Sequence, residues 1–216
     1  MEIRQSSLGN QPNMKEEAGV GGLNENSEEV FSPIGYGDIT IDCGANYGVI
    51  SQKMADKGAL VFAFEPNPYV FEELKKRVGS YPNVVCINKA VWHKNDKLRL
   101  HLHEHYHTDP AGSAYASSLL TNHPVTNPEK YVDVEVIDLT QFIQMLNRPI
   151  RLIKIDIEGA EFELLEKIVE QNLHLQIEKI VVENHEWLIE GLKTKADHFR
   201  RVMQEKQIHN IDLNWI

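Results

Sequence analysis

Positive charge is scarce in this chain: 22 Lys and Arg stand against 32 Asp and Glu across 216 residues, a net charge of −10. That imbalance removes the general electrostatic reason to approach nucleic acid or an anionic membrane, and it favours neutral or cationic ligands. Cysteine is scarcer still. Only Cys43 and Cys86 occur, each inside an apolar stretch, so the expectation is two buried, reduced thiols in a cytoplasmic protein rather than a disulfide framework. Nothing approaches the run of roughly 18 apolar residues that a membrane span requires. The opening "MEIRQSSLGNQPNMKEEAG" also lacks the apolar centre of a secretory signal. A soluble protein is expected, without internal repeats.

Residues 1 to 30 are rich in Asn, Gly, Glu, Gln and Ser, and their isolated apolar residues follow neither the helix nor the strand period. They read as a mobile extension, or as a segment that folds over a ligand. Residues 31 to 216 read as one domain. From Asp38 short apolar runs alternate with helical segments, the sequence form of a parallel sheet covered on both faces. The expected strands are "DITID" (38 to 42), "ALVFAF" (59 to 64), "NVVCIN" (83 to 88), "RLIKID" (151 to 156) and "KIVVEN" (179 to 184). Helices are expected from Val49 to Lys57, from Asn67–Pro68 to Gly79, and over "GAEFELLEKIVEQN". A fourth is expected to open on a capping box of Thr194 and Asp197. "IHNIDLNWI" has room for one more short strand. Residues 93 to 137 break the alternation: "KLRLHLHEH" and "YVDVEVIDL" show period two, and about 25 polar residues join them, a length that a compact domain keeps for a use. This segment reads as a substrate-side insertion.

The glycine turn after the first strand, "IDCGANYGVIS", lacks something too. In doubly wound folds ligands bind outside the carboxyl ends of the strands, where this turn lies. A dinucleotide fingerprint needs a second close glycine, and here only Gly44 and Gly48 occur, with Asp42 ahead of them. A carboxylate in that place disfavours a phosphate and favours a cation, which argues against a nicotinamide-dependent oxidoreductase. Glu65 ends the second strand, where such folds put the acid that accepts hydrogen bonds from ribose hydroxyls. A ribose without phosphates joined to a cationic group describes S-adenosylmethionine.

"IDCGANYGVIS", "FEPNP" at 64 to 68, "NKAV" at 88 to 91, "SSLL" at 117 to 120 and "KIDIEGAE" at 154 to 161 together resemble the FkbM family of S-adenosylmethionine-dependent methyltransferases, from about Asp38 to His185. The resemblance implies an α/β, Rossmann-like class I methyltransferase fold with a mostly parallel central sheet and helices on both faces. It also implies methylation of a hydroxyl, often on a sugar or a natural product. Carried over by position, it makes Asp42, Gly44, Asn46 and Gly48 methionine-side contacts, Glu65 the ribose ligand and Asn67 a neighbour that shapes the adenosine site. Asn88 and Ala90 fall beside the adenine, and Asp156 and Glu158 near the reacting methyl. Tyr47 departs from the small or aliphatic residue expected in the turn, and a full terminal strand pair is not expected.

Several of these residues have plainer uses. Asp42 can hydrogen-bond turn amides, the glycines can serve only the turn, and Asp156 and Glu158 can favour the following helix through its dipole. His101, His103, His105 and His107 would share one face of a strand, which reads as a polar substrate-facing wall rather than a zinc site, since no further ligand motif accompanies them. Ser117 and Ser118 fall in the same region. His185, at the expected end of the fifth strand, is the first choice for the base that takes the acceptor's proton, with Asp156 and Glu158 as the alternatives. No metal is assigned, although Asp156, Glu183 and Asn184 form an oxygen set suited to magnesium or manganese. The expected partner is a small hydroxylated acceptor such as a saccharide. The rival from another class is a methyltransferase-like module that binds without catalysis.

Overall fold

The computed structural model describes residues 29–106 and 117–215. The expected amino-terminal extension, save its last two residues, lies outside the described residues, as do His107 and part of the connection inside the insertion.

Six strands form one parallel sheet: β1 (Ile39–Cys43), β2 (Leu60–Phe64), β3 (Val84–Ile87), β7 (Ile150–Ile155), β8 (Ile177–Val182) and β9 (Ile211–Asp212). Their order is β3-β2-β1-β7-β8-β9, with every neighbouring pair parallel. The chain builds outward from β1 to β3, then returns to lay β7 on the other side of β1. The carboxyl ends of β1 and β7 therefore flank a topological switch point, the place where such sheets leave a crevice. All five residues of β1 are buried, as suits a central strand covered on both faces.

Alternate residues of these strands feed two cores, one on each face of the sheet. Ile41, Ile153, Ile155, Ile180 and Val182 pack with α3 (Leu139–Leu146), α4 (Glu161–Glu170) and α5 (Leu192–Glu205), through Ile143, Phe162, Leu165, Ile168 and Phe199. Val61, Ala63, Leu152 and Val181 pack with α1 (Val49–Asp56) and α2 (Pro68–Val78), through Ile50, Met54, Leu74 and Val78. Each of these side chains larger than alanine contributes about 1.5 to 3 kcal/mol of burial. α2 begins as the sequence suggests: the Asn67 side chain accepts from the Tyr69 amide at 3.1 Å, and Pro68 takes the first turn.

A second sheet carries the insertion, in the order β4-β6-β5. β5 (Asp96–His103) and β6 (Thr126–Asp138) pair antiparallel, and β4 (Ala90–Trp92) joins β6 in parallel. The pairing shifts register between His101 and Leu102. That irregularity breaks the period-two comb: His101 is buried, His103 half-buried, and His105 lies beyond the strand end.

Three expectations change. α5 opens at Leu192, not at a Thr194 capping box, because Gly191 turns the chain in the left-handed region and Leu192 is drawn into the core. Asp197 pairs with Lys193 and Arg200 instead of capping. α3 is not expected from the sequence, and its first residue, Leu139, falls in the period-two run of the preceding strand. Its start is set by Asp138, whose side chain accepts from the amides of Thr140 and Gln141. Cys43 is buried but Cys86 only half-buried, because β3 lies at the edge of the sheet; both are free thiols. Among the described residues no helix is long and apolar enough to cross a membrane.

Candidate active site

Gly44 is the residue that lets the turn after β1 lie across the end of β7. Its φ is +77°, and a Cβ there would stand 1.9 Å from the carbonyl oxygen of Asp156, so no other residue fits without moving one strand end. The turn hangs from β2: the amides of Gly44 and Ala45 donate to the Phe64 carbonyl at 3.0 and 2.8 Å. Asn46, also left-handed, donates its amide to Glu65 Oε2 at 2.9 Å. Glu65 Oε1 accepts the Asn67 amide at the same distance. Both carboxylate oxygens are thereby aimed, and each keeps a lone pair for a further donor. Burial pushes the Glu65 carboxyl up to about 7, against the pull of those two amides and of Lys154.

The cleft beside this turn measures about 550 Å³ including its open mouth, in the size range of small-molecule sites. Gly44, Asn46, Glu65, Ala90, Asp156 and Glu158 line it, along with Lys89 just before β4, Val91 of β4, Leu100 of β5, and Ser117 and Leu119 of the insertion.

At its floor the ends of β1 and β7 are tied by Lys154, which is 4 % exposed. The ammonium donates to the Gly44 carbonyl at 2.7 Å and to Asp156 Oδ2 at 3.1 Å, and lies 3.5 Å from Asp42 Oδ1. Burial alone would lower its pKa, but the fields of Asp156 and Asp42 hold it above the usual lysine value. Asp42 itself is fully buried and accepts the Ser51 hydroxyl at 2.6 Å.

A chain of alternating histidines and acids runs along the wall formed by the ends of β7 and β8. His185, 5 % exposed, has Nδ1 3.0 Å from Glu161 Oε1 and Nε2 3.3 Å from Glu158 Oε2 and 3.9 Å from Asp156 Oδ1. Glu161 also accepts the amide of Gly159 at 3.0 Å. His123, reaching in from the insertion, has Nε2 3.1 Å from Glu158 Oε2, and the Ser118 hydroxyl donates to the Glu158 carbonyl at 2.6 Å. Burial would lower the His185 imidazole, but the Glu161 hydrogen bond and the charges of Glu158 and Asp156 push it up to about 10. Burial raises the Glu158 carboxyl, opposed by His123 and His185. Glu183, at the end of β8, is pushed up to about 7 by burial and by the charge of Asp156.

The turn, the acid that closes β2 and the acid pair after β7 occur within a stretch, residues 42–208, that matches the family model described as the methyltransferase FkbM domain. The chain belongs to the FkbM methyltransferase family. Solved structures similar to this methyltransferase include an rRNA methylase from Streptococcus thermophilus, at 10% identity and TM-score 0.44, covering 82% of this chain and 76% of that one. Another is precorrin-6y C5,15-methyltransferase from Geobacter metallireducens, at 12% identity and TM-score 0.43, covering 85% and 74%. A third, described as a precorrin 8w decarboxylase from Methanobacterium thermoautotrophicum, shares 14% identity at TM-score 0.45, covering 87% and 75%. Likeness this distant carries no argument about what the methyltransferase acts on. A comparison with curated proteins finds no matching relative.

Within the FkbM methyltransferase, the residues singled out by sequence divide into those that line the cleft and those that hold it from behind. Gly44, Asn46, Glu65, Ala90, Asp156 and Glu158 line it. Asp42 lies beneath, on Ser51 and Lys154. Gly48 faces the other way: a Cβ there would stand 2.7 Å from Leu74 of α2, so it serves helix packing. Asn67 caps α2 and reaches Ser117 at 3.2 Å. Asn88 donates to the carbonyls of Glu65 and Pro66 at 2.8 and 3.1 Å, clamping the loop that carries the acid. His185 stands behind Glu158 and Asp156. Sequence reasoning missed Lys154, Glu161 and His123. A lysine inside the apolar run "RLIKID" is itself a signal, since an unpaired lysine is rarely buried; nothing local marks His123.

Proposed function

We propose that this FkbM methyltransferase uses S-adenosylmethionine to methylate a hydroxyl of a small polyhydroxylated acceptor, such as a sugar, in the cytoplasm. One observation carries the reading: a cleft at the switch point is lined by carboxylates, with Glu65 held by two backbone amides, one on each oxygen. Glu65 suits the two hydroxyls of a ribose. Asp156, with Asp42 and Lys154 beneath it, supplies the negative wall that a cationic methionine end favours, and Gly44 lets the turn lie close against the Asp156 carbonyl.

S-adenosylmethionine supplies a methyl group on a positively charged sulfur. The chain's own part is to orient the acceptor and move one proton. His185, hemmed by three carboxylates, holds a proton on Nε2 in the cofactor-free protein. The groups free to take a hydroxyl proton are then the Asp156 and Glu158 carboxylates in front of it, and His185 keeps them aimed. The apolar residues Val91, Leu100 and Leu119, on the insertion side of the cleft, limit water access. The acceptor belongs between this side and the Glu158 turn.

Calorimetric titration with S-adenosylmethionine, with NAD as the control, tests the proposal. Ribose hydroxyls donate to the ionised form of Glu65, so binding lowers its pKa from about 7. Affinity should therefore rise as pH increases through 7 and level off above it. Glu65→Gln should bind more weakly and without that pH dependence. Heat from NAD but not from S-adenosylmethionine would reject the reading.

A further inference from the structure

We propose that Asp156 Oδ1, Glu158 Oε2 and His185 Nε2 together bind one divalent cation of the manganese type at the acceptor side of the cleft. Each of the three side chains offers one ligand atom, and these atoms lie within 4.8 Å of one another. His185 Nε2 is 3.3 Å from the Glu158 oxygen and 3.9 Å from the Asp156 oxygen. Ligands about 2.1 Å from one octahedral cation stand about 3.0 Å apart at right angles and about 4.2 Å apart across the ion. Both distances fall inside that window.

The surroundings are built as metal sites are built. Each ligand is held by its own buried partner. Glu161, 0 % exposed, faces His185 Nδ1 at 3.0 Å, which leaves Nε2 to point at the carboxylates. Lys154 takes Asp156 Oδ2 and leaves Oδ1 free to turn toward His185. His123, 3 % exposed, has Nε2 3.1 Å from Glu158 Oε2, the ligand oxygen itself, and would keep that hydrogen bond beside the ion. A carboxylate behind a ligating histidine fixes its tautomer and strengthens it as a ligand. Charge points the same way. The carboxyl groups of Asp42, Asp156, Glu158, Glu161 and Glu183 gather at these strand ends; the Lys154 ammonium pairs with the first two and its field reaches Glu183, while two histidines face Glu158 and Glu161. Two carboxylates with one imidazole suit manganese better than magnesium, which prefers oxygen alone, or zinc, which prefers nitrogen and sulfur. The ligands differ from the oxygen set that sequence suggested, because Glu158 and His185 bring ligand atoms together with Asp156, whereas the Asn184 side chain turns to the Leu213 carbonyl.

The cation's role rests on the methyltransferase reading, though its binding does not: it would displace the Nε2 proton that His185 carries without it, take the acceptor hydroxyl as a ligand and lower its pKa, and the hydroxyl proton would pass to water because Asp156 and Glu158 then serve as ligands rather than as bases. The test is a titration of the full-length protein with Mn2+, followed by loss of the free ion's electron paramagnetic resonance signal, with S-adenosylmethionine binding measured separately by calorimetry. One ion per chain is expected. Asp156→Asn and His185→Ala should weaken it at least about tenfold, and Glu161→Gln, which keeps all three ligands, should also weaken it about tenfold. Glu158→Gln, nearly isosteric, guards against reading a misfolded variant as a lost ligand, and circular dichroism checks each protein. A free-ion signal that persists to millimolar Mn2+, or binding that these substitutions leave unchanged, overturns the site. If that happens while S-adenosylmethionine still binds, the methyltransferase reading stands alone. If Mn2+ binds and S-adenosylmethionine does not, the cation site stands and the reading of its role falls.

Discussion

Lys154 joins two strands through charge, and removing that charge exposes what it compensates. Lys154→Met keeps the length and packing of the side chain but strands Asp42 and Asp156 without their cation in a buried place. Breaking a buried pair in this way costs about 3 to 5 kcal/mol. The urea midpoint of the variant should fall accordingly, and an unfolding free energy within about 1 kcal/mol of the parent would show that water already reaches these carboxylates. At this scale the sequence was readable wherever a residue's role depends on its near neighbours. Asn67 before Pro68, Gly44 at the strand end and Glu65 closing an apolar strand all carry out local tasks that their types announce. Gly48 shows the limit. Its spacing from Gly44 matches a cofactor turn, yet Leu74, from another helix, decides what it is for.

The boundary between β6 and α3 rests on one acid. Asp138 accepts from the amides of Thr140 and Gln141 and meets Lys167 of α4 at 2.6 Å. Burial would raise its carboxyl, but Lys167 and Thr140 together hold it below the ordinary 3.8. Asp138→Ala removes the cap and should destabilise the protein by about 1 to 2 kcal/mol. Because the folded carboxyl is depressed, its contribution is present above pH 3.8 and is lost as pH falls through the lower folded value. The gap between parent and variant in thermal melts should stay constant from neutral pH down to about 4 and close only below it. A gap that closes between pH 7 and 5 would assign the stability to another group. Element patterns were legible for buried strands and amphipathic helices, whose periods reflect burial. α3 escaped because Leu139 continues the alternation of "YVDVEVIDL", and only the cap geometry shows where the strand stops.

Over the whole molecule, the net charge of −10 and the carboxylate-lined cleft set what can approach. Fluorescence anisotropy with labelled single-stranded RNA should show no binding at about 150 mM salt; binding that weakens steeply with salt would contradict the expected small acceptor. The sequence by itself determined the class of fold, the place of the cleft and the acids at its rim, because these follow from strand burial and from motifs within one strand and its turn. The tertiary structure alone decided how those acids are paired. Lys154 reaches between β1 and β7, residues 110 apart in the chain at Gly44. His123 arrives from the insertion, 35 residues from Glu158. Glu161 turns back from the first turn of α4 to His185, 24 residues on. No period or local motif encodes such meetings, since they depend on which strand ends the crossovers bring together.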